Sequence, residues 1–296
     1  MPPAVFSDNA FCQFMTLVTL VPSGQVLAHT QNGEEPMPAE TEELVRVEYR
    51  DNVAMITLNR PEQRNAFVPH MARRFVEICS EVDAREEIGA VVIRGEGGAF
   101  CAGADRKVLQ QAGTDPLEEQ NFRDLGSVYE AFMRLGAMKA PVIAAVRGAA
   151  VGAGLNLALA ADLRIVSEDA RLIAGFLGIG IHPGGGHFSL MQRLLGREAV
   201  AAMVLFNEEV KGERAAEIGL AWEALPDEQV ESRALQLAER AAADPSLARL
   251  ATSSFRRMTA AAVDWEVAMA AERSAQMWSL RRREQRSHVS ATDTSP

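Results

Sequence analysis

The chain predicts an α/β fold built from stacked strand–strand–helix repeats, and three observations carry that expectation. A β-hairpin pattern opens the ordered part, with Val45-Arg46-Val47-Glu48-Tyr49 alternating and Val53 to Leu58 following after Asp51-Asn52. Apolar strand-like runs then recur at Ala90 to Ile93, Val142 to Val146 and Leu163 to Val166, separated by helical periodicity. Two of these runs lead into glycine-rich turns, Phe100-Cys101-Ala102-Gly103-Ala104-Asp105 and Arg147-Gly148-Ala149-Ala150-Val151-Gly152-Ala153-Gly154-Leu155-Asn156.

Between these landmarks, Asn59 to Asn65 breaks the hairpin pattern and Phe67 to Asp83 reads as an amphipathic helix. Residues 113–136 read as helical, with Gly136 as a stop, and Gly152 to Ala161 forms a helix of small residues. Beyond Gly196 the pattern is almost wholly helical: Glu198 to Phe206, Gly212 to Ile218, Asp227 to Ala243, Pro245 to Met258 and Val263 to Leu280. The expected organisation is an extension over 1–36, a core over 37–243, a helical C-terminal region over 244–286 and a polar, disordered tail over 287–296. The first Lys or Arg is Arg46, so Phe11 to Val21 lacks the basic flank of a secretory signal and is too short to span a bilayer. Met37 opens a more ordinary N-terminus and is the expected start.

Composition excludes several classes of function. At 48% hydrophobic and 24% charged, the 296 residues suit a soluble globular protein. A net charge of -10 argues against general nucleic-acid binding, yet local arginines can still hold a small anion. Cys12, Cys79 and Cys101 have neither metal-type spacing nor an even count, which suits a reduced, cytoplasmic protein with no metal site.

The chemistry lies in the two glycine-rich turns. Small residues leave backbone amides uncovered, and two converging N–H groups, one at a helix N-terminus, stabilise a carbonyl oxygen as it becomes an oxyanion. Thioester chemistry through an enolate needs such a site. A dinucleotide fingerprint fits poorly, because no glycine stands three residues after Gly154. Close helix packing at Gly152-Ala153-Gly154 is the plainer alternative. Cys101 has no base near it in sequence and is expected to be inert.

In order along the chain, several segments together resemble the crotonase superfamily, the enoyl-CoA hydratase/isomerase family. They are Ile56-Thr57-Leu58-Asn59-Arg60-Pro61 with Asn65-Ala66, the Phe100 to Asp105 turn, Pro141 to Val146 with Gly148 and Gly152 to Gly154, and Ala161-Asp162-Leu163-Arg164. Arg193-Leu194-Leu195-Gly196 and Ala215 to Leu220 complete the series, which runs from about Val45 to Ala243. The resemblance implies a crotonase-like spiral of ββα repeats and a helical C-terminal region that forms homotrimers or hexamers. It also implies an acyl-CoA substrate and no separate cofactor, coenzyme A being part of the substrate; no membrane and no nucleic acid are involved. By position, Ala104 and Ala153 would donate the two N–H groups. Arg64, Asn65, Ala66, Ala102, Asp105 and Arg106 would line the coenzyme A path.

The same alignment exposes a departure. Typical hydratases of this family use two glutamates to activate water and protonate the α-carbon. The first falls on Asn156 and the second on Phe176, and neither exchanges a proton near neutral pH. A third acidic position, used in some isomerases and dehalogenases, falls on Gly184. His182, in Ile181-His182-Pro183-Gly184-Gly185-Gly186-His187, is the candidate general base beside these vacancies, with Asn156 as an orienting group. A buried hydrogen bond or a helix cap is its equal alternative, and His187 reads as structural. Phe176 is expected to line an apolar acyl pocket. The expected activity is therefore an atypical hydration, isomerisation or hydrolysis of an acyl-CoA, the alternatives being an acyl-CoA binder without catalysis or a scaffold with a vestigial pocket.

Overall fold

The computed structural model describes residues 44–114 and 118–259. The expected extension, the expected helix over 263–280 and the tail lie outside these residues. The described residues form two sheets. The larger has six strands in the order β1 (Val45–Arg50), β2 (Val53–Leu58), β3 (Ala90–Gly95), β5 (Val142–Val146), β7 (Leu163–Ser167) and β10 (Glu223–Leu225). The smaller has four, in the order β4 (Ala99–Cys101), β6 (Ala149–Val151), β8 (Arg171–Ile173) and β9 (Val210–Lys211).

Strands β1 and β2 form the expected antiparallel hairpin, and β2, β3, β5, β7 and β10 then pair in parallel. A parallel sheet covered on both faces needs strands that are apolar throughout, which Val53–Leu58 and Val142–Val146 are. Alternate residues divide between two cores. Ala54, Ile56, Val91, Ile93, Val142 and Ala144 face the main core, whereas Met55, Val92, Ile143 and Ile165 face a second. Helix α8 (Asp227–Ala242) covers that second face with Val230, Ala234, Ala238 and Ala242, a row spaced by four residues. Helix α1 (Pro69–Ala84) buries Met71, Phe75, Ile78 and Val82 in the main core.

The chain climbs in three turns. Each long strand of the first sheet passes through a short link to a short strand of the second sheet: β3 to β4, β5 to β6 and β7 to β8. Helices then return it: α2 (Arg106–Thr114) and α3 (Glu119–Gly136) after β4, α4 (Ala153–Ala160) after β6, and α5 (His187–Gln192), α6 (Arg197–Leu205) and α7 (Gly212–Glu217) after β8. This is the expected spiral of ββα repeats. The single helix expected over 113–136 is two helices, because α2 begins directly at Arg106 and ends at Thr114. Of the short strands of the second sheet, β4 and β6 lie where the sequence shows glycine-rich turns. Strands of two or three residues carry too little periodicity to be read from the sequence.

Neighbouring turns of the spiral approach so closely that their links admit no side chain. Gly148 has φ +61°, and a Cβ there would lie 2.1 Å from the Gly98 carbonyl oxygen. The C-terminal helix α9 (Pro245–Thr259) is tied down by arginines. Arg249 donates to the Asp83, Arg85 and Ile88 carbonyls, and Arg256 Nε donates to Asp162 Oδ1 at 2.8 Å. Among the described residues no helix is long and apolar enough to cross a membrane.

Candidate active site

The two glycine-rich segments meet face to face. Ala104 forms a parallel bridge with Phe67, in which the Phe67 N–H donates to the Gly103 carbonyl and the Asp105 N–H to the Phe67 carbonyl, both at 2.8 Å. That pattern leaves the Ala104 N–H pointing away from the bridge. Gly103 has φ +94°, and a Cβ on it would lie 3.5 Å from the Ala153 nitrogen and 2.7 Å from the Val151 oxygen. Ala153 is the first residue of α4, so its N–H has no acceptor within the helix. Among the described residues, neither the Ala104 nor the Ala153 N–H donates a hydrogen bond to another part of the chain. Gly154 seats α4 against β4, since a Cβ there would fall 2.1 Å from the Cys101 oxygen. Close packing and two free amides thus share one cause, the small residues of both segments.

The residues expected along the coenzyme A path divide into two kinds. Asn65 is fully buried at φ +56°; its Oδ1 accepts from the Arg60 N–H at 2.8 Å, and its Nδ2 donates to the Glu96 and Ala99 carbonyls at 2.9 and 2.8 Å. Its side chain therefore clamps the loop, with both N–H donors used and no surface exposed. The Ala66 carbonyl accepts from Arg60 Nη1, and the Ala102 N–H donates to the Arg64 carbonyl. Asp105 accepts from Arg60 Nη1 at 2.8 Å and, through its other oxygen, from the Lys107 N–H at 2.9 Å. Burial pushes the Asp105 carboxyl up, but the Arg60 hydrogen bond, the Lys107 amide and the charges of Arg60 and Lys107 together hold it below the usual range. Arg64, at φ +50°, and Arg106, the first residue of α2, have exposed side chains. Cys101 is fully buried and donates through Sγ to the Asn65 carbonyl; burial pushes its thiol up to about 12, so it stays a thiol.

One turn further along α4 stands a second polar group. Asn156 is the single polar residue of α4 and is 1% exposed. Its Nδ2 donates to the Gly184 carbonyl at 3.1 Å, and its Oδ1 lies 2.6 Å from His187 Nδ1. A carbonyl only accepts, so the first bond fixes the amide's orientation. Nδ1 of His187 must then carry the proton, and Nε2 carries a lone pair. His187 is 1% exposed, and among the described residues its Nε2 has no partner. Burial pushes its imidazole down to about 4, so it is neutral at pH 7. The Phe176 ring packs edge-on against it with centroids 4.9 Å apart, and Phe176 Cζ lies 3.8 Å from where a Gly152 Cβ would sit.

The histidine that Asn156 holds is thus His187, while the sequence points to His182. His182 is exposed and its Nδ1 donates to the adjacent Pro183 carbonyl at 2.7 Å, with its ring 6.2 Å from that of Phe188. The helix that follows is capped by Gly186 at φ +74°, not by His182. Three glycines in a row turn the chain sharply enough to put His187, five residues on, inside. The missed signal was Asn156 itself, a lone amide in an otherwise apolar helix that needs a buried partner. At Gly184 no acid fits without movement, since a Cβ there would lie 2.4 Å from Tyr129 Oη. Among the described residues no cluster of His, Cys, Asp and Glu has the form of a metal site.

Comparison with known proteins agrees with the spiral. Residues 48–286 match the family model described as enoyl-CoA hydratase/isomerase. A Mycobacterium tuberculosis protein named probable enoyl-CoA hydratase is 41% identical over 209 residues, covering 71% of this chain and 79% of the relative. The 1,2-epoxyphenylacetyl-CoA isomerase of Escherichia coli is 34% identical over 199 residues, covering 66% of this chain and 74% of the relative. Among solved structures, an enoyl-CoA hydratase from Polaromonas sp. JS666 superposes with a TM-score of 0.76 at 26% identity, over 84% of this chain and 96% of that one.

Proposed function

Because the chain belongs to the enoyl-CoA hydratase/isomerase family, we propose that it processes an acyl-CoA thioester by holding the thioester oxygen between the Ala104 and Ala153 N–H groups. The observation that carries this reading is the meeting of Gly103 with the free N-terminus of α4. An enolate oxygen there would accept two amide bonds and lie on the positive end of the α4 dipole. Exposed Arg64 and Arg106 belong to the two segments joined by the Ala102 N–H to Arg64 carbonyl bond, and would offer positive charge to the coenzyme A phosphates. Phe176, half-buried beside Gly152, supplies an apolar wall for the acyl chain. Coenzyme A travels with the substrate, so this chemistry asks for no further cofactor. The setting we assign is the cytoplasm, in a trimer or a pair of trimers.

Ala153→Pro tests the reading, since proline removes the N–H while suiting the first position of a helix. Turnover of an acyl-CoA should fall by about 100-fold to 1,000-fold, the usual effect of losing one oxyanion donor, with the circular dichroism spectrum unchanged. A folded variant with full turnover would remove Ala153 from the site. One observation favours a second reading, an acyl-CoA binder without catalysis: Asn156 and Phe176 occupy the positions where acids are expected. That reading predicts tight acyl-CoA binding and no product from any thioester.

A further inference from the structure

The imidazole of His187 touches both residues that occupy the vacant acid positions. It is hydrogen-bonded to Asn156 and packed edge-on against Phe176. A lone pair buried without a partner is costly, and native structures rarely keep one without a use for it. The chain of bonds from the Gly184 carbonyl through Asn156 to Nδ1 fixes which nitrogen bears that lone pair. Asn156 stands one helical turn after Ala153, and Phe176 spans from the His187 ring to Gly152. Asn156 on α4 and Phe176 beside Gly152 thus link the His187 ring to the helix end that carries the free amides.

We propose that His187 is the proton-transfer residue of this site, with Nε2 acting as base toward a water molecule that adds across a 2-enoyl thioester. The proposal rests on the acyl-CoA reading above. As the water oxygen bonds to C3, its proton passes to Nε2, and the C2–C3 π electrons move onto the thioester oxygen as an enolate. When the enolate collapses, the proton on Nε2 passes to C2. Water is consumed, a 3-hydroxyacyl thioester is formed, and the imidazole returns to its starting state. Asn156 acts as a positioning residue, holding the ring in the tautomer that leaves Nε2 open.

Burial pushes the imidazole down to about 4, so it rests neutral at pH 7 with the Nε2 lone pair open to a proton. Helices α4 and α5 contain no acid and no base other than His187, and the 174–186 loop adds only the exposed His182. Helix α3 brings Tyr129, whose hydroxyl burial pushes up, together with Asp124, the exposed Glu130 and Arg134, which is paired with Asp83; α6, packed on α5, begins with the exposed Arg197 and Glu198.

The test follows hydration of but-2-enoyl-CoA in ¹⁸O-labelled water, alongside the affinity for butanoyl-CoA, in the wild type, His187→Gln and Ala153→Pro. We expect label at C3 with the wild type. In His187→Gln, kcat should fall by at least about 100-fold, within the usual range for general-base catalysis, while KM and butanoyl-CoA affinity stay within about twofold. Wild-type kcat in His187→Gln with activity lost in Ala153→Pro would overturn the role of His187 and leave the acyl-CoA reading standing. Butanoyl-CoA binding without hydration by the wild type would overturn the proposed step, and no binding at all would overturn both readings. Asn156→Asp guards against misfolding of the first variant. A carboxylate on Nδ1 makes the imidazole more basic, so the acid limb of the kcat–pH profile should move up by at least about one unit; an unmoved limb overturns the proposal.

Discussion

Asn65 and Asn156 are both buried, both lie in glycine-rich surroundings and both fall in segments that resemble the family, yet they do opposite things. Asn65 closes a circuit: its amide satisfies the Arg60 N–H and two carbonyls, and it is satisfied in return. Asn156 leaves a circuit open, because it uses its own amide on Gly184 and His187 and so exposes the lone pair at Nε2. The contrast separates architecture from chemistry. A buried polar group that is fully paired holds a loop; one that prepares a neighbour with a free acceptor prepares a site.

The largest effect that would sharpen this contrast is on stability. Asn65→Ala strands a buried donor and two carbonyls and puts alanine at φ +56°, so it should cost about 4 kcal/mol, read as a lower urea midpoint at unchanged slope. A loss below about 1 kcal/mol would mean that Asn65 is no clamp.

Next comes acid. His187 has a folded-state pKa of about 4 against 6.5 for an ordinary histidine, so below pH 6.5 the unfolded chain binds a proton that the folded chain refuses. Its neutral state is fully accommodated above pH 6.5, and stability is lost progressively as pH falls toward 4, by up to about 3 kcal/mol. The difference in unfolding free energy between wild type and His187→Phe should shrink by that amount across this window. A difference independent of pH would place the imidazole in water.

The smallest expected change is in the double variant Asn156→Leu/His187→Phe. Replacing both partners of a buried bond with apolar groups is nearly neutral, and only the half-buried Gly184 carbonyl loses its donor, so the stability should match the wild type within about 2 kcal/mol. Thermal melts at pH 7.5 would check it. A large loss would show that the pair supports the fold as Asn65 does, and would erase the contrast.

Much of this was legible beforehand, for particular reasons. The hairpin and strands β3, β5 and β7 stand out because long apolar runs have few other uses, and α8 because Val230, Ala234 and Ala238 repeat at helical spacing. Strands β4, β6 and β8 were invisible, since each is three residues long and two of them sit among glycines. The pairing of Arg60 with Asp105 spans 45 residues, and nothing local announces it. His182 drew attention through its nearness in sequence to the vacant acid positions. Gly184-Gly185-Gly186 then turned the chain and carried His187 inside instead.

By itself, then, the sequence determined the layering and the two glycine-rich turns, because these follow from residue type and short-range spacing; that Asn156 and Phe176 stand where acids are expected is what its resemblance to the family implies. Only the tertiary structure decided which polar groups are closed and which are open. That depends on the partners each buried atom finds across the fold, and a single unpaired nitrogen on His187 emerges only once every other donor and acceptor around it has been paired.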